Sequence, residues 1–417
     1  MFDEMTEKGY QPNLIVYNTV LKGLCKTGNT DRAVRFLRLM ESRGFEPNIV
    51  AYNTILDCLC KNRLLKEAFD LFSEVKVKGI RPNIITYTCL IHGMCNLGQQ
   101  EEATRLLNEM VDNNISINID TYNILIAALC KEGTISKAVE TVDMMIMQGI
   151  EPDVVTYNTL VDAHCKEGMV SEAEDIIDAM IKRGIEPDIV TYNTLVDAHC
   201  KEGMVSEAED IVDAMIKRGI EPNVVTYSAL INGHCLQNEM HKARRVFNLM
   251  IEKGCAPDIV TYSTMINGYC KGHIEEALKL FQAMRNSGLE LDTVPYTILI
   301  DGLCKAGRIE FAKELFCLLS DNGLKLDVYT YCIMINGLCK EGLPDEAYRL
   351  FGSMGDNDCL PNSCCYNVMI RGFLHNSYTS KATQLLMEMV GKGFSADIIT
   401  ATLFMDLIIH SNKSILL

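Results

Sequence analysis

The sequence predicts an all-α protein: a right-handed superhelical α-solenoid of about eleven 35-residue helix-turn-helix repeats, with partial units at both ends. Three observations predict this fold. Tyrosines recur at a nearly constant interval, each interval holds two segments with apolar residues at helical spacing, and two successive stretches of 35 residues are almost identical. A period of roughly 20–50 residues is typical of stacked repeat architectures, in which each unit buries its apolar face against its neighbours.

The tyrosine period is 35 residues, with a single step of 34. The tyrosines are Tyr17, Tyr52, Tyr87, Tyr122, Tyr157, Tyr192, Tyr227, Tyr262, Tyr296, Tyr331 and Tyr366. Residues 151–185 and 186–220 match at 33 of 35 positions, which indicates duplication of one unit. An open-ended array tolerates such a duplication because each repeat contacts only its neighbours.

The repeats are numbered so that position 1 follows the Pro-Asp or Pro-Asn pair that precedes most units. The predicted repeats are residues 14–48, 49–83, 84–118, 119–153, 154–188, 189–223, 224–258, 259–292, 293–327, 328–362 and 363–397. Residues 1–13 are expected to be the remnant of a second helix, and residues 398–417 a partial terminal repeat.

Each repeat is predicted to hold two helices, helix A at positions 1–13 and helix B at positions 17–30. Position 31 is glycine in most repeats and Asn114 in repeat 3, which predicts a left-handed residue at the end of helix B. Proline commonly follows at position 34 and prevents helix B from continuing. Position 20 is always alanine and position 10 is always Gly, Ala or Cys, so the sequence predicts that both lie where helices A and B of one repeat cross.

Composition and cysteine spacing exclude several classes of protein. The net charge of −16, from 39 basic and 55 acidic residues, argues against binding nucleic acid by bulk charge. No apolar run approaches the roughly 18 residues that a transmembrane helix needs. Ten of the eighteen cysteines occupy position 12, which favours a packing role over a metal site or disulfide, and no C-x-x-C occurs. We therefore predict no metal, no cofactor and no enzymatic activity.

The phrase from Pro152 to Ala173, PDVVTYNTLVDAHCKEGMVSEA, resembles the pentatricopeptide repeat family, and the resemblance extends over essentially the whole chain. Uniform 35-residue units resemble its P-type subclass, and the motifs VTYNTL and CKEG are similar to those of restorer-of-fertility-like members. The tetratricopeptide repeat, a 34-residue alternative, has an early tryptophan, whereas this chain has no tryptophan. The resemblance implies a sequence-specific single-stranded RNA-binding protein that reads one base per repeat.

The resemblance further implies that positions 5 and 35 of each repeat contact one base. An aspartate can only accept hydrogen bonds and so suits uracil or guanine, whereas an asparagine can donate and suits cytosine or adenine. A short hydroxyl at position 5 leaves room for a purine, and a longer asparagine reaches a pyrimidine. The pairs are Asn18 and Asn48, Asn53 and Asn83, Thr88 and Asn118, Asn123 and Asp153, Asn158 and Asp188, Asn193 and Asn223, Ser228 and Asp258, Ser263 and Asp292, Thr297 and Asp327, Cys332 and Asn362, and Asn367 and Asp397.

The resemblance implies that the RNA strand runs from 5′ to 3′ along the chain, so these pairs predict a target near CCAUUCGGGNU, in which the Cys332 pair has no assigned base. The alternative for position 35 is an ordinary helix N-cap, since Asn and Asp commonly precede helices. That alternative does not explain why position 5, a full turn inside helix A, is also small and nearly always polar.

Two further columns of residues are candidates for RNA contact. The resemblance implies that the side chain at position 2 packs between bases. This position is aliphatic in eight repeats, and the exceptions are Asp120, Tyr329 and Cys364. The alternative is that the aliphatic side chains simply pack in the core. The eight are Ile15, Val50, Ile85, Val155, Val190, Val225, Val260 and Val294. Position 13 is a lysine in eight repeats, and this column of ammonium groups could contact the RNA phosphates. The alternative is that each is a solvated lysine, stabilised by the dipole near the C-terminus of its helix. The eight are Lys26, Lys61, Lys131, Lys166, Lys201, Lys271, Lys305 and Lys340.

The charge distribution agrees with an RNA-binding helix A, because positions 1–13 of the eleven repeats hold ten basic and five acidic residues. The resemblance implies organellar transcripts, in the mitochondrion or alternatively the plastid, and a role in RNA processing, stability or translation control. No Arg- and Ser-rich leader precedes the first repeat, so a targeting segment is expected to be absent from this chain. The alternative function is a protein-binding helical scaffold, which would show varied and often aromatic residues at positions 5 and 35.

Overall fold

The computed structural model describes residues 13–321, 323–355 and 358–415, which form 23 helices and no strand. The odd-numbered helices α1 to α21 are helix A of successive repeats, the even-numbered ones are helix B, and α23 follows the last pair. They are α1 (Leu14–Lys26), α2 (Thr30–Ser42), α3 (Ile49–Lys61), α4 (Leu65–Val77), α5 (Ile84–Cys95), α6 (Gln100–Asp112), α7 (Ile119–Lys131), α8 (Ile135–Met147), α9 (Val154–Lys166), α10 (Val170–Lys182), α11 (Ile189–Lys201), α12 (Val205–Lys217), α13 (Val224–Leu236), α14 (Met240–Glu252), α15 (Ile259–Cys270), α16 (Ile274–Asn286), α17 (Thr293–Lys305), α18 (Ile309–Asp321), α19 (Val328–Lys340), α20 (Pro344–Ser353), α21 (Ser363–His375), α22 (Thr379–Gly391) and α23 (Ile398–Ile415).

Helix B ends where the sequence predicts, just before the residue at position 31. The residue at position 31 takes the left-handed conformation that ends helix B, as at Gly44, where φ is 80°, and at Asn114, where φ is 53°. The remnant helix predicted for residues 1–13 lies, apart from Asn13, outside the described residues. None of the described helices has the length and hydropathy that spanning a membrane requires.

The chain divides into two compact units, residues 1–198 and 199–417. In each unit consecutive helices A pack side by side, and each helix B packs on helix A of its own repeat and of the following one. A continuous apolar core runs from Leu21 to Leu160 in the first unit. Each repeat therefore depends on its neighbours to bury its apolar face.

The tyrosines at position 4 lie at the junction between helix B and the next helix A. The ring of Tyr87 packs edge-on against Phe72 of the preceding repeat, with ring centroids 5.4 Å apart. Tyr366 and Phe351 make the same contact in the second unit at 5.1 Å. Because these rings are buried and belong to different repeats, the 35-residue tyrosine period marks the contact that joins one repeat to the next.

The small residues at position 10 correct one expectation. A Cβ added to Gly93 would lie 2.7 Å from Cβ of Cys60, which is position 12 of the preceding helix A. In the second unit, Gly337 stands in the same relation to Cys304, at 2.8 Å. Position 10 therefore lies where two consecutive helices A approach, and the prediction that it faces helix B of its own repeat is wrong. The reason is that residue size shows that a close approach exists without showing which neighbour makes it.

The cysteines at position 12 are the other half of this contact. All eighteen cysteines of the chain are free thiols. Burial raises the pKa of Cys60 to about 12, so its thiol stays protonated at neutral pH. Over the described residues, no three His, Cys, Asp or Glu side chains are grouped in a way that could hold a metal ion.

We predict that Gly93→Val lowers the free energy of unfolding by about 1–3 kcal/mol, because the new side chain overlaps the Cβ of Cys60, which cannot rotate away. The matched control is Gly391→Val in α22, where an added Cβ meets nothing within 4 Å. The control is expected to leave stability unchanged or slightly increased, since valine is a better helix former than glycine. Urea denaturation followed by circular dichroism measures both, and equal midpoints for the two variants would contradict the assignment of position 10.

Candidate functional site

The side chain at position 35 caps the following helix A. Oδ1 of Asp153 accepts a hydrogen bond from the backbone N–H of Thr156 at 2.9 Å, and Oδ1 of Asn83 accepts one from Thr86 at 3.2 Å. Both capping residues are in extended backbone conformation, as N-caps generally are. The N-cap interpretation of position 35 therefore describes these bonds correctly. It accounts only for the Oδ1 atom of each side chain and leaves the second polar atom unexplained.

In repeats 2, 4 and 5 the asparagine at position 5 bonds directly to the side chain at position 35. Nδ2 of Asn123 donates to Oδ1 of Asp153 at 3.2 Å, and Nδ2 of Asn158 donates to Oδ1 of Asp188 at 3.0 Å. Asn53 and Asn83 of repeat 2 form the same bond at 3.0 Å. A helix cap does not require this contact. The two columns that the sequence singled out therefore meet in space.

A third residue completes each site, and the sequence analysis missed it. Thr156, at position 3 of the following repeat, places its hydroxyl 2.6 Å from Oδ1 of Asn123 and 2.9 Å from Oδ1 of Asp153. Thr191 lies in the same way beside Asn158, at 2.6 Å. The recurrent threonine immediately before the periodic tyrosine is the signal that could have found it. Its hydroxyl fixes the rotation of the position 5 amide.

Capping and pairing both use Oδ1 of the position 35 side chain. The remaining atom is therefore Oδ2 in an aspartate, an acceptor, or Nδ2 in an asparagine, a donor. Burial alone would raise the pKa of Asp153, but hydrogen bonds from Thr156 and Asn123 outweigh it and hold the pKa below the usual value. Asp188 is affected in the same way. Both carboxylates are therefore ionised at neutral pH and can only accept hydrogen bonds.

Repeats with a hydroxyl at position 5 have a different geometry. The Thr88 hydroxyl lies 2.8 Å from that of Thr121, and the Ser228 hydroxyl lies 2.7 Å from that of Thr261. The position 5 hydroxyl thus bonds to the following threonine, whereas asparagine extends to the position 35 side chain as well. The predicted choice between purine and pyrimidine would depend on this difference in reach, and it stays a prediction.

Repeats 1, 8 and 10 lack the threonine, and after repeat 10 Cys365 stands in its place. Ala51 replaces it after repeat 1, and Oδ1 of Asn18 is buried without a hydrogen-bond partner among the described residues. Pro295 replaces it after repeat 8 and offers neither hydroxyl nor N–H, so Asp292 caps through the N–H of Val294 at 3.0 Å. Oγ of Ser263 is then buried and unpaired in the described structure.

In two other repeats the remaining atom is already bound by a charged side chain. Nδ2 of Asn118 donates to Oδ2 of Asp120 at 3.2 Å. Oδ2 of Asp397 accepts from Arg371 at 2.6 Å. A ligand at repeat 3 or repeat 11 would have to displace these contacts. The Asn193 and Asn223 pair falls across the two compact units, and its geometry is not described.

The aliphatic side chains at position 2 are on the surface. Val155 is 54% exposed, Val260 is 62% exposed and Ile15 is 73% exposed. The other five, Val50, Ile85, Val190, Val225 and Val294, are also more than half exposed. The core-packing alternative for this column is therefore wrong. In each unit, exposed aliphatic side chains recur two residues after the capping residues, and no packing among the described residues accounts for their exposure.

The lysines at position 13 are exposed in all eight repeats. At least three of them pair with an aspartate at position 9 of the same helix, with Nζ–Oδ2 distances of 2.6 Å: Lys61 with Asp57, Lys166 with Asp162, and Lys305 with Asp301. The sequence analysis did not anticipate these pairs. Exposed pairs of this kind contribute only about 0.3–0.5 kcal/mol, so a phosphate could compete for the ammonium groups.

A family model described as the PPR repeat family matches residues 47–96, 82–131, 117–163, 152–201, 187–236, 224–271, 271–305, 291–340, 333–375 and 361–408, and the model of the pentatricopeptide repeat domain matches residues 1–62. These matches extend over most of the sequence. The chain belongs to the pentatricopeptide repeat family. No curated protein matches it.

Solved pentatricopeptide repeat structures resemble this chain. PPR10 from maize is 25% identical, with a TM-score of 0.58, over 96% of this chain and 67% of its own. PPR10 in complex with an 18-nt psaJ RNA element is 23% identical, with a TM-score of 0.45, over 96% of this chain and 72% of its own. The PPR domain of Arabidopsis thaliana protein-only RNase P 1, solved with tRNA, is 18% identical, with a TM-score of 0.36, over 45% of this chain and 95% of its own.

We predict that Thr156→Val lowers the free energy of unfolding of this pentatricopeptide repeat protein by about 1 kcal/mol, because Oδ1 of Asn123 loses its buried donor. The matched control is Thr159→Val, whose hydroxyl bonds only a carbonyl within the same helix, on the surface. We expect the control to change stability by less than about 0.5 kcal/mol. Urea denaturation compares the two, and a control as destabilised as Thr156→Val would rule out a bridging role for this hydroxyl.

Proposed function

We propose that this chain is a sequence-specific binder of single-stranded RNA that takes one nucleotide per repeat, with a target near CCAUUCGGGNU and its 5′ end at repeat 1. Membership of the pentatricopeptide repeat family supports the class of ligand, and so does the likeness to PPR10, which has also been solved with an RNA element. The observation that carries the proposal is the repeated pair with one unused side-chain atom, set beside an exposed aliphatic residue.

In this proposal each base lies between the position 2 side chains of two successive repeats, and its pairing edge faces the remaining atom of position 35. Oδ2 of Asp153 accepts the N3–H of uracil. Cytosine presents a bare ring nitrogen there, which would face the carboxylate without a proton between them. An unsatisfied group of this kind costs roughly 1–3 kcal/mol, enough to discriminate between the two pyrimidines.

The proposed target is not read with equal strength along its length. Asp120 and Arg371 occupy the remaining atoms of repeats 3 and 11, so we propose that discrimination is weaker at the third and eleventh bases. Repeats 4 and 5 have the complete set of asparagine, aspartate and threonine, so the two uracils in the middle of the target should be read most strictly.

The exposed lysines of position 13 are proposed to follow the phosphate backbone. They carry positive charge on the same helices as the pairs, whereas the acidic excess of the chain lies mainly elsewhere. Because each neutralised phosphate of a single strand contributes a salt-dependence slope of about 0.7, binding should weaken as salt rises. The uniform small polar pairs do not fit the varied and aromatic surface expected of a protein-binding scaffold.

The proposed action is passive: the protein occupies a segment of an organellar transcript and so affects its processing, stability or translation. The mitochondrion remains the predicted location, with the plastid as the alternative, and similarity to P-type and restorer-of-fertility-like members remains part of the proposal. These points follow from the resemblance and not from the site.

We predict that Asp153→Asn shifts the preference at the fourth base from uracil to cytosine by about tenfold, because Nδ2 replaces an acceptor with a donor. The cap is kept, since Asn83 caps its helix in the same way. Filter binding with CCAUUCGGGAU and CCACUCGGGAU measures the ratio of affinities. Asp143→Asn on helix α8 removes the same charge from an exposed site and should leave the ratio unchanged. If both variants kept the wild-type ratio, the assignment of position 35 would be wrong.

We predict that Val155→Ala weakens binding of the target several-fold to tenfold without changing which base is preferred, because it removes apolar surface that would lie against the base. Val139→Ala, at an exposed position of α8, is the control and should bind as the wild type does. Filter binding with the same two RNAs gives both numbers. An affinity unaltered by Val155→Ala would separate position 2 from RNA contact.

A further inference from the structure

In repeat 10 two cysteines replace the hydroxyl groups that meet in repeats 7 and 9. Cys332 occupies position 5 and Cys365 occupies position 3 of the following repeat, where repeat 7 has Ser228 and Thr261. The two sulfur atoms lie 3.2 Å apart, and both side chains are buried, at 7% and 0% exposure. The thiols thus face each other between α19 and α21, without any other residue between them.

We propose that Cys332 and Cys365 form a site of reversible oxidation, at which a hydroperoxide such as hydrogen peroxide converts the two thiols into a disulfide that joins α19 to α21. The sulfur atoms need to approach by about 1.2 Å to reach the disulfide length of about 2.0 Å. Both residues lie on helices that already pack against each other, so the stack itself keeps the two thiols together.

The pair differs in reactivity from the other buried cysteines. The hydrogen bond from Cys332 lowers the pKa of Cys365 to about 7, and the same bond, together with burial, raises the pKa of Cys332. The lowered pKa favours the thiolate form of Cys365, which is the nucleophilic form. The position 12 cysteines are the contrast, since burial raises the pKa of Cys304 and of Cys339 to about 12. The neighbouring Cys364 is exposed, so this part of the repeat borders solvent.

The reaction proceeds in two balanced steps. The Cys365 thiolate attacks one oxygen of hydrogen peroxide, the O–O bond breaks, and the products are a sulfenic acid and a hydroxide that takes up a proton to leave as water. The Cys332 thiol then attacks the sulfenic sulfur, so that the S–S bond forms, the S–O bond breaks and a second water leaves. The two thiols together lose two electrons, and the peroxide gains them. A dithiol reverses the bond by exchange.

The consequence for RNA rests on the proposed function. Position 5 of repeat 10 is the residue to which the sequence analysis assigned no base. A disulfide would hold its sulfur against α21 and so remove the thiol from contact with the tenth nucleotide. The oxidation itself does not depend on RNA.

The test uses the reduced full-length chain without RNA. The folded protein is treated with a few-fold excess of hydrogen peroxide, free thiols are blocked with N-ethylmaleimide in denaturant, and tryptic peptides are analysed by non-reducing tandem mass spectrometry. We expect a cross-link between peptides 326–340 and 350–371, assigned by fragmentation to Cys332 and Cys365. Cys304 should remain alkylated, and dithiothreitol should abolish the cross-link.

The two test variants introduce residues found at the same positions of other repeats, the serine of Ser228 at position 5 and the threonine of Thr261 at position 3. Cys332→Ser and Cys365→Thr should each abolish the cross-link, whereas Cys364→Ser and Cys317→Ser should keep it. Circular dichroism confirms that each variant is folded, and the fragmentation spectra of the wild type give the pairing even if a variant does not fold. No cross-link in the folded wild type, a different pairing, or equal oxidation of Cys304 would overturn the proposal. Because the assay contains no RNA, its failure is distinguishable from failure of the proposed function.

Discussion

The hydrogen bond from the backbone N–H at position 3 to the position 35 side chain is the constraint on which the candidate site depends. It fixes the start of each helix A and commits Oδ1 of the capping residue, as at Asp153 and Asn83. The same oxygen then receives the amide of position 5, and the threonine hydroxyl holds that amide in place. One cap therefore determines both where a helix begins and which atom is presented to a ligand.

The stacking of repeats sets the position of these caps. A repeat cannot bury its tyrosine alone, since the ring of Tyr87 lies against Phe72 of the repeat before it. Consecutive helices A approach closely through small residues such as Gly93, which contacts Cys60. Because consecutive helices A pack in this way, the same first-turn side chains recur from repeat to repeat within each unit. The exposed aliphatic residues at position 2 recur with them.

The sequence predicted the helices well because local chemistry delimits each repeat: an Asn or Asp precedes helix A, and a left-handed residue, usually glycine, follows helix B. The pairing of positions 5 and 35 came from the family resemblance. Thr156 was missed although its column is visible, because a threonine in a helix has several ordinary explanations. The contacts of Asp120 and Arg371 depend on side-chain conformation, which a repeat pattern does not encode. Position 10 was assigned to the wrong neighbour because small residues mark a close approach without naming the partner.

Asn and Asp are nearly equivalent as N-caps, and this chain uses both. Exchanging one for the other keeps the helix cap, yet it replaces an acceptor with a donor at the side-chain atom that the cap does not use. Such a change requires a single nucleotide substitution in the gene. Under the proposed function, selection can therefore alter the base preference of one repeat at a time without cost to folding. A duplicated unit such as residues 186–220 provides an additional repeat that can diverge in this way.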